Sequence, residues 1–237
     1  MAREKSTAAL VAPRKERRSN EQRRQESDKR LLDAGLRLVA QKGAVGATLA
    51  DIGVAAGFSR SLPLERFGSK LQFLVALVDR TEQWFNQWAF ADLQGKEGLD
   101  GLTARIEAHL ASATASWDAT SALFLLYFES LTVVPELRPK VAAVGQDYRL
   151  ALRDLIRQGQ ERGEIRADVD PDVEATALFG AIRGTIAQWL FEPTTIDLRR
   201  VARALAESTR RSLAADPGDR PAAARHVRTR AGRKAKP

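Results

Sequence analysis

Residues 48–70, TLADIGVAAGFSRSLPLERFGSK, decide how this chain is read. Leu49, Ile52 and Ala56 recur at i, i+3 and i+7, the spacing of one helical face. Thr48 stands just before them, where an N-cap hydroxyl can accept from the first free amides. Gly57 supplies a turn, and a second short helix is expected over roughly residues 60–67 with Ser59 as its cap. Ala55 and Ala56 are small enough for the two helices to approach closely, while Leu49, Ile52, Phe58 and Phe67 provide apolar contacts to hold them. This is the pattern of a helix-turn-helix. In its DNA-binding form the first residues of the second helix enter the major groove.

Upstream, a helix is expected over about residues 21–42, with Leu31, Gly35, Leu38 and Val39 on one face and Gly43 ending it. Downstream, Ser69 caps a long fourth helix in which Leu74, Leu77, Val78, Trp84, Phe85 and Trp88 form a broad apolar side. Three glycines between residues 95 and 101 break the pattern. Five further helices are expected, beginning near Leu102, Asp118, Glu136, Pro171 and Ile196. In the third of these, Leu137, Val141, Val144, Tyr148, Leu152, Leu155 and Gly159 step by three and four, a continuous stripe facing a core or a partner. Pro135 and Pro139 sit at its start, where a missing amide proton costs little. With no alternating strand pattern, the expected fold class is all-α.

The formal charge of +8 is unevenly placed. Residues 1–30 hold ten Lys/Arg against five Asp/Glu, and residues 215–237 hold seven against two, which leaves −2 for the middle. Both ends lack apolar periodicity and are expected to be disordered basic segments, of the kind that attracts polyanions. There is no cysteine, which excludes disulfides, thiolate metal sites and cysteine nucleophiles. His109 is the only histidine outside the tails, and neither a phosphate-cradling glycine motif nor a persuasive pair of carboxylates occurs. No catalytic residue, metal ligand or cofactor is therefore assigned, and an enzyme is not expected. No apolar run approaches the roughly 20 residues that span a bilayer. The polar N-terminus does not read as a secretory leader, so a cytoplasmic protein without membrane contact is expected.

Residues 29–74 resemble the DNA-binding domain of the tetracycline-repressor (TetR) family of bacterial transcription regulators. The likeness is cumulative: Leu31, Leu32 and Ala34 before Gly43, then Thr48, Asp51-Ile52, Ala55-Ala56-Gly57-Phe58-Ser59, Phe67 and Ser69-Lys70. The resemblance implies an N-terminal three-helix helix-turn-helix domain, and a fourth helix linking it to a larger C-terminal helical ligand-binding and dimerisation domain. It also implies dimerisation through the last two helices and release of DNA when a small molecule binds. The expected organisation is a basic arm (1–20), the helix-turn-helix domain (21–70), the regulatory and dimerisation domain (71–214) and a basic tail (215–237).

The expected DNA-binding residues are Thr48, Ser59, Arg60, Ser61, Leu64, Arg66 and Lys70. Arg60 and Ser61 open the reader helix, where an arginine can bind guanine through two hydrogen bonds. Arg66 and Lys70 are expected on phosphates, and Thr48 can contact a phosphate while capping its helix. The chain departs from the family at Ser61-Leu62-Pro63-Leu64. Leu64 stands where the family commonly carries a phosphate-binding Tyr and cannot donate a hydrogen bond; core packing and contact with a thymine methyl are the roles open to it. Pro63 suits a reader helix that begins one residue later than Ser59 as cap would give. Arg14, Lys15, Arg17, Arg18, Arg23 and Arg24 can follow the DNA backbone or an adjacent minor groove as an arm.

In the second half, His109, Trp117, Phe124, Tyr127 and Phe128 are the expected effector-pocket residues, with Glu129 a further polar candidate and core packing the plainer role for the aromatic residues. The effector is expected to be small and apolar. Residues 175–190 mix small and large apolar side chains, and Phe179, Ile182 and Ile186, with Val201 and Leu205 of the last helix, fall where the resemblance places a four-helix dimer interface. Packing within one chain is the alternative. A two-fold dimer would match paired half-sites on a double-stranded operator. The functional expectation is a sequence-specific DNA-binding regulator, a homodimeric repressor released by an effector. The alternative is a protein on the same fold that coats DNA without sequence preference or binds other proteins.

Overall fold

Ser19 starts the first helix with a reciprocal cap. Its hydroxyl accepts from the Gln22 amide at 3.1 Å, and the Gln22 side chain accepts from the Ser19 amide at 2.9 Å. From there the computed structural model, which describes residues 19–92 and 95–216, is helical almost throughout. The order is α1 (Asn20–Gly46), α2 (Leu49–Ala55), α3 (Leu62–Phe67), α4 (Lys70–Asp92), α5 (Gly98–Ala113), α6 (Trp117–Glu129), a 3-10 turn (Pro135–Leu137), α7 (Arg138–Glu161), α8 (Pro171–Phe191) and α9 (Leu198–Leu213). Arg14, Lys15, Arg17 and Arg18 of the expected arm, nearly all of the basic tail and the side chain of Trp88 lie outside the described residues.

Capping explains most boundaries. Thr48 caps α2 by accepting from the Asp51 amide at 3.1 Å, and Ser69 accepts from Gln72 at the start of α4. Asp170 accepts from two amides of α8, with Pro171 at the first helical position, and Asp197 does the same for α9. Gly43 leaves the helical conformation with φ 71 and ψ 175, so α1 proper ends there, and one further turn runs to Gly46. Two expected starts move. α5 begins at Gly98 rather than near Leu102, because Gly98 (φ 55) enters the helix and its neighbour Leu99 gives its amide to the Glu164 carboxylate at 3.1 Å. α3 begins at Leu62 rather than Arg60, since Pro63 can be accommodated only in a first turn.

The interior divides into two apolar clusters. The first joins Leu31, Ala34 and Val39 of α1, Ile52 of α2 and Phe73, Leu74, Leu77 and Val78 of α4 to Ala119, Ala122, Leu123 and Leu126 of α6. The second joins Leu102, Ile106 and Leu110 of α5, Tyr148, Leu152 and Ile156 of α7, and the inward faces of α8 and α9. α6 faces both, because Phe124 belongs to the second cluster. Gly35 lets α1 meet α4; a Cβ there would lie 2.6 Å from the Phe73 ring. The chain end is clamped: Arg166 gives its amide to the Leu213 carbonyl and Ala215 gives its amide to the Glu164 carbonyl, each at 2.9 Å. That pairing, an isolated bridge between Ile165 and Ala214, is the only extended pairing among the described residues.

Candidate functional site: nucleic-acid interface and internal cavity

The turn between α2 and α3 is built from backbone. Phe58 gives its amide to the Gly53 carbonyl and Gly57 to the Val54 carbonyl, each at 2.9 Å, with Gly57 at φ 79. These two bonds satisfy the last carbonyls of α2 and turn the chain sharply, a conformation that disfavours residues with a Cβ. The close approach falls at Gly53, not at Ala55. A Cβ on Gly53 would lie 2.3 Å from the Ser59 carbonyl oxygen and 3.1 Å from Pro63, whereas Ala55 is exposed. Pro63, an awkward residue in the sequence, is thus buried as the wedge of α3 against α2. Arg30 of α1 fixes the turn from outside: its guanidinium donates to the Ala56 carbonyl at 2.7 Å and lies 4.6 Å over the Phe58 ring.

This arrangement sorts the expected DNA contacts. Thr48, Ser59, Arg60, Ser61 and Leu64 are all exposed on one short segment, Leu64 with 53% of its surface free. Ser59 does not cap α3; Ser61 occupies that position without a side-chain cap bond, and the two hydroxyls lie 3.3 Å apart. Arg60 and Ser61 therefore stand in the turn ahead of the helix. Arg66 is turned inward, donating to Ser27 at 3.0 Å and lying 3.6 Å from Asp28, and so ties α3 to α1. Lys70 donates to the Val45 carbonyl at 2.8 Å. Burial lowers its pKa, and the nearby Glu129 carboxylate opposes that shift.

Glu129, at the last residue of α6, reaches the same point. Its carboxylate accepts from the Ala44 amide at 2.7 Å, directly after the Gly43 break. Earlier on α6, Leu123 and Tyr127 face a cavity of about 280 Å³. Its other walls are Glu82, Phe85 and Asn86 of α4, Arg105 and His109 of α5, Val144, Asp147, Tyr148 and Ala151 of α7, and Arg183 of α8. A second, more open hollow of about 440 Å³ adjoins it, sharing Tyr127 and Arg183 and lined also by Phe124, Phe128, Val141 and Phe179. His109 lies between Phe85, stacked at 5.7 Å, and Tyr148, edge-on at 4.8 Å. Burial, then the Arg183 and Arg105 charges, push its pKa down to about 3, so the imidazole is neutral. Burial also raises the Tyr148 phenol.

Two family descriptions match the chain. "Bacterial regulatory proteins, tetR family" covers residues 31–77, and "Tetracyclin repressor-like, C-terminal domain" covers residues 98–205. The chain belongs to the TetR family. Among its relatives, the HTH-type transcriptional regulator AcrR of Shigella flexneri is 28% identical over 195 residues, covering 78% of this chain and 88% of that protein. The HTH-type transcriptional regulator TtgR of Pseudomonas putida is 25% identical, with 76% and 88% covered. A TetR regulator from Chloroflexus aurantiacus superposes with a TM-score of 0.69 at 24% identity, covering 81% of this chain and 98% of the other. NalD, the secondary repressor of the MexAB-OprM efflux pump in Pseudomonas aeruginosa, superposes at 0.65 with 21% identity and the same coverage. The protein is a helix-turn-helix DNA-binding transcriptional regulator, all-α, with a helical C-terminal domain.

For a TetR-family chain the remaining expected residues fall as follows. His109 and Tyr127 line the cavity, while Phe124 and Phe128 line the adjoining hollow. Trp117 stands apart, exposed, with its ring 5.3 Å from Trp189 in a surface groove. Ile182 and Ile186 of the expected dimer face are fully buried in the second core, Leu205 is half-buried against it, and Val201 is half-buried. Phe179 turns to the hollow, 5.1 Å from Tyr148. The outward face of α8 carries Val173, Ala177, Gly180, Gly184 and Phe191 instead, a shift of about two residues that puts it nearly opposite the expected face. Sequence reading missed Arg30, Arg105 and Arg183. Each is one arginine among many, and its partners are far away in the chain. No helix among the described residues is long and apolar enough to cross a membrane.

Proposed function

We propose that this TetR-family regulator is a homodimeric repressor whose hold on an operator is set by a small molecule in the cavity between α4 and α8. The observation that carries the reading is the course of α6. Leu123 and Tyr127 line the cavity, and Glu129 holds the Ala44 amide at the junction of α1 and α2. A ligand that prefers one placement of α6 thereby acts on the orientation of the reader. It can shift the DNA-binding state by no more than its difference in affinity for the two placements. Repression is supported by likeness to a regulator whose description names it a repressor. A second protomer is supported by the outward face of α8, where added Cβ atoms on Gly180 and Gly184 would meet nothing within 4 Å and another helix could come close. The proposed place of action is the cytoplasm, and no enzymatic step is assigned.

Enrichment of random duplex DNA by the full chain at physiological salt tests this reading. A two-fold symmetric site is expected, preferred over random DNA by several orders of magnitude. Arg60→Ala should weaken it by about 1–3 kcal/mol. Glu129→Gln should leave binding of the free protein nearly intact while reducing its response to ligand. Retention of DNA with no preferred sequence would instead support coating by the basic tails.

A further inference from the structure

We propose that the cavity takes an amphipathic organic anion, a carboxylate on an apolar body, with Arg183 and Arg105 receiving the charge. This rests on the reading that a ligand in this cavity controls DNA binding, and it names that ligand's chemical class. It also departs from the small apolar effector expected from the sequence.

Arg183 projects from the middle of α8 into a nest of rings. Its guanidinium lies 4.0 Å over Tyr127, 4.9 Å over Phe179 and 5.4 Å over Phe124, and it donates to the Tyr127 hydroxyl. Its Nε is buried without a hydrogen-bond acceptor, and among the described residues no carboxylate lies within 4 Å of it. Arginine does not shed its proton in proteins. The charge is therefore held in a partly desolvated place, where ring faces offset only part of the lost hydration. Arg105, 6% exposed, lies 4.7 Å over the Tyr148 ring on the adjoining wall.

The acidic lining residues do not cancel this field. Glu82 and Asp147 sit near each other by Lys140, whose ammonium also pairs with Asp79. At His109 and Tyr148 the charges that register are those of the two arginines, and no carboxylate is among them. The cavity is thus polarised, with a cationic region at Arg105 and Arg183 beside the neutral His109. A carboxylate accepts two parallel hydrogen bonds from a guanidinium, the pairing that a buried arginine is shaped to make. A cationic guest would meet like charge. A neutral one would strip further water from Arg183 and give nothing in return. Phe85, Leu123 and Val144 form the apolar wall for the body of the guest, and the adjoining hollow past Tyr127 admits a longer one.

Calorimetry on the full chain with octanoate, 4-phenylbutyrate, 1-octanol and octyltrimethylammonium tests the proposal. The two carboxylates are expected to bind at least tenfold more tightly than the alcohol or the ammonium. Arg183→Gln should lower carboxylate affinity tenfold or more while leaving the alcohol within about threefold. The charge series on the unaltered protein stands even where that variant folds poorly. An ammonium or alcohol that equals the carboxylates, or no carboxylate binding at millimolar concentration, overturns the proposal. A cationic probe that binds and releases operator DNA overturns the anion while leaving ligand control intact. Carboxylates that bind without any effect on DNA leave the anion site standing and remove ligand control.

Discussion

The turn that presents the reader is made by near neighbours, all but Arg30 of them between Thr48 and Pro63, whereas the cavity draws Glu82, Arg105, His109, Tyr127, Tyr148 and Arg183 from five helices. In the first region the backbone does the shaping: two carbonyl–amide bonds, a positive φ and a glycine with no room for a Cβ. In the second region the side chains do it, through stacked rings and buried guanidiniums whose backbones are regular helix. A perturbation of the first should therefore act mainly on DNA binding, and one of the second mainly on stability and ligand response.

The largest expected effect probes the second region. Leu152, fully buried in the second core, should cost about 2–5 kcal/mol on substitution by Ala, through lost burial and the cavity left behind. Chemical denaturation should show that loss with operator affinity unchanged wherever the variant is folded. Equal damage to DNA binding would mean that the two regions are not separable in this way. Gly53→Ala is the opposite probe. It should cost up to about 3 kcal/mol through overpacking, and its operator affinity should fall more than tenfold, because the Ser59 carbonyl must move and Arg60 with it. A variant that keeps its DNA affinity would show the turn to be far more yielding than its contacts suggest.

Acidification gives a third test, directed at His109. Its folded-state pKa of about 3 lies below the ordinary 6.5, so the folded protein refuses a proton that the unfolded chain accepts. The associated stability is fully present above pH 6.5 and is lost as pH falls toward 3, at up to about 1.4 kcal/mol per pH unit. Melting curves should lose about 2 kcal/mol between pH 6.5 and 5 from this group, and His109→Gln should flatten that window. An unchanged slope in the variant would assign the acid sensitivity to other groups. The smallest effect is expected for Thr48→Ala, about 1 kcal/mol for the lost cap. A loss of operator affinity beyond that figure would mark the hydroxyl as a phosphate contact as well.

The same contrast explains what could be read from the chain alone. The helix positions other than the starts of α3 and α5, the caps at Thr48 and Ser69 and the turn at Gly57 follow from residues within one or two turns of each other, and they stand as expected. The α7 stripe was equally legible, with Leu137, Val144, Tyr148 and Leu152 all buried. Local rules failed where two local demands competed. Ser59 offered a cap but Pro63 required a later start, and the proline prevailed because an interior proline removes a hydrogen bond and clashes with the preceding turn. On α8 the apolar content was legible but its phase was not, since large and small residues alternate around the whole helix. Only tertiary packing turns Ile182 and Ile186 inward and leaves Gly180 and Gly184 outside. Arg66 and Lys70 read as phosphate contacts, yet in the fold Arg66 bonds Ser27 beside Asp28 and Lys70 bonds the Val45 carbonyl, partners remote in the chain.

The double allegiance of α6 bears on how freely readers can be exchanged between relatives. The family description for the DNA-binding part ends at residue 77, yet the core around it continues into Ala119, Ala122, Leu123 and Leu126. A hybrid regulator spliced at that boundary would set a foreign α1 and α4 against this face, and would leave Glu129 without a guaranteed amide to hold. Transplanting specificity from one member to another should therefore succeed more often when the inward side of α6 travels with the graft, even though more than forty residues of sequence separate the two pieces.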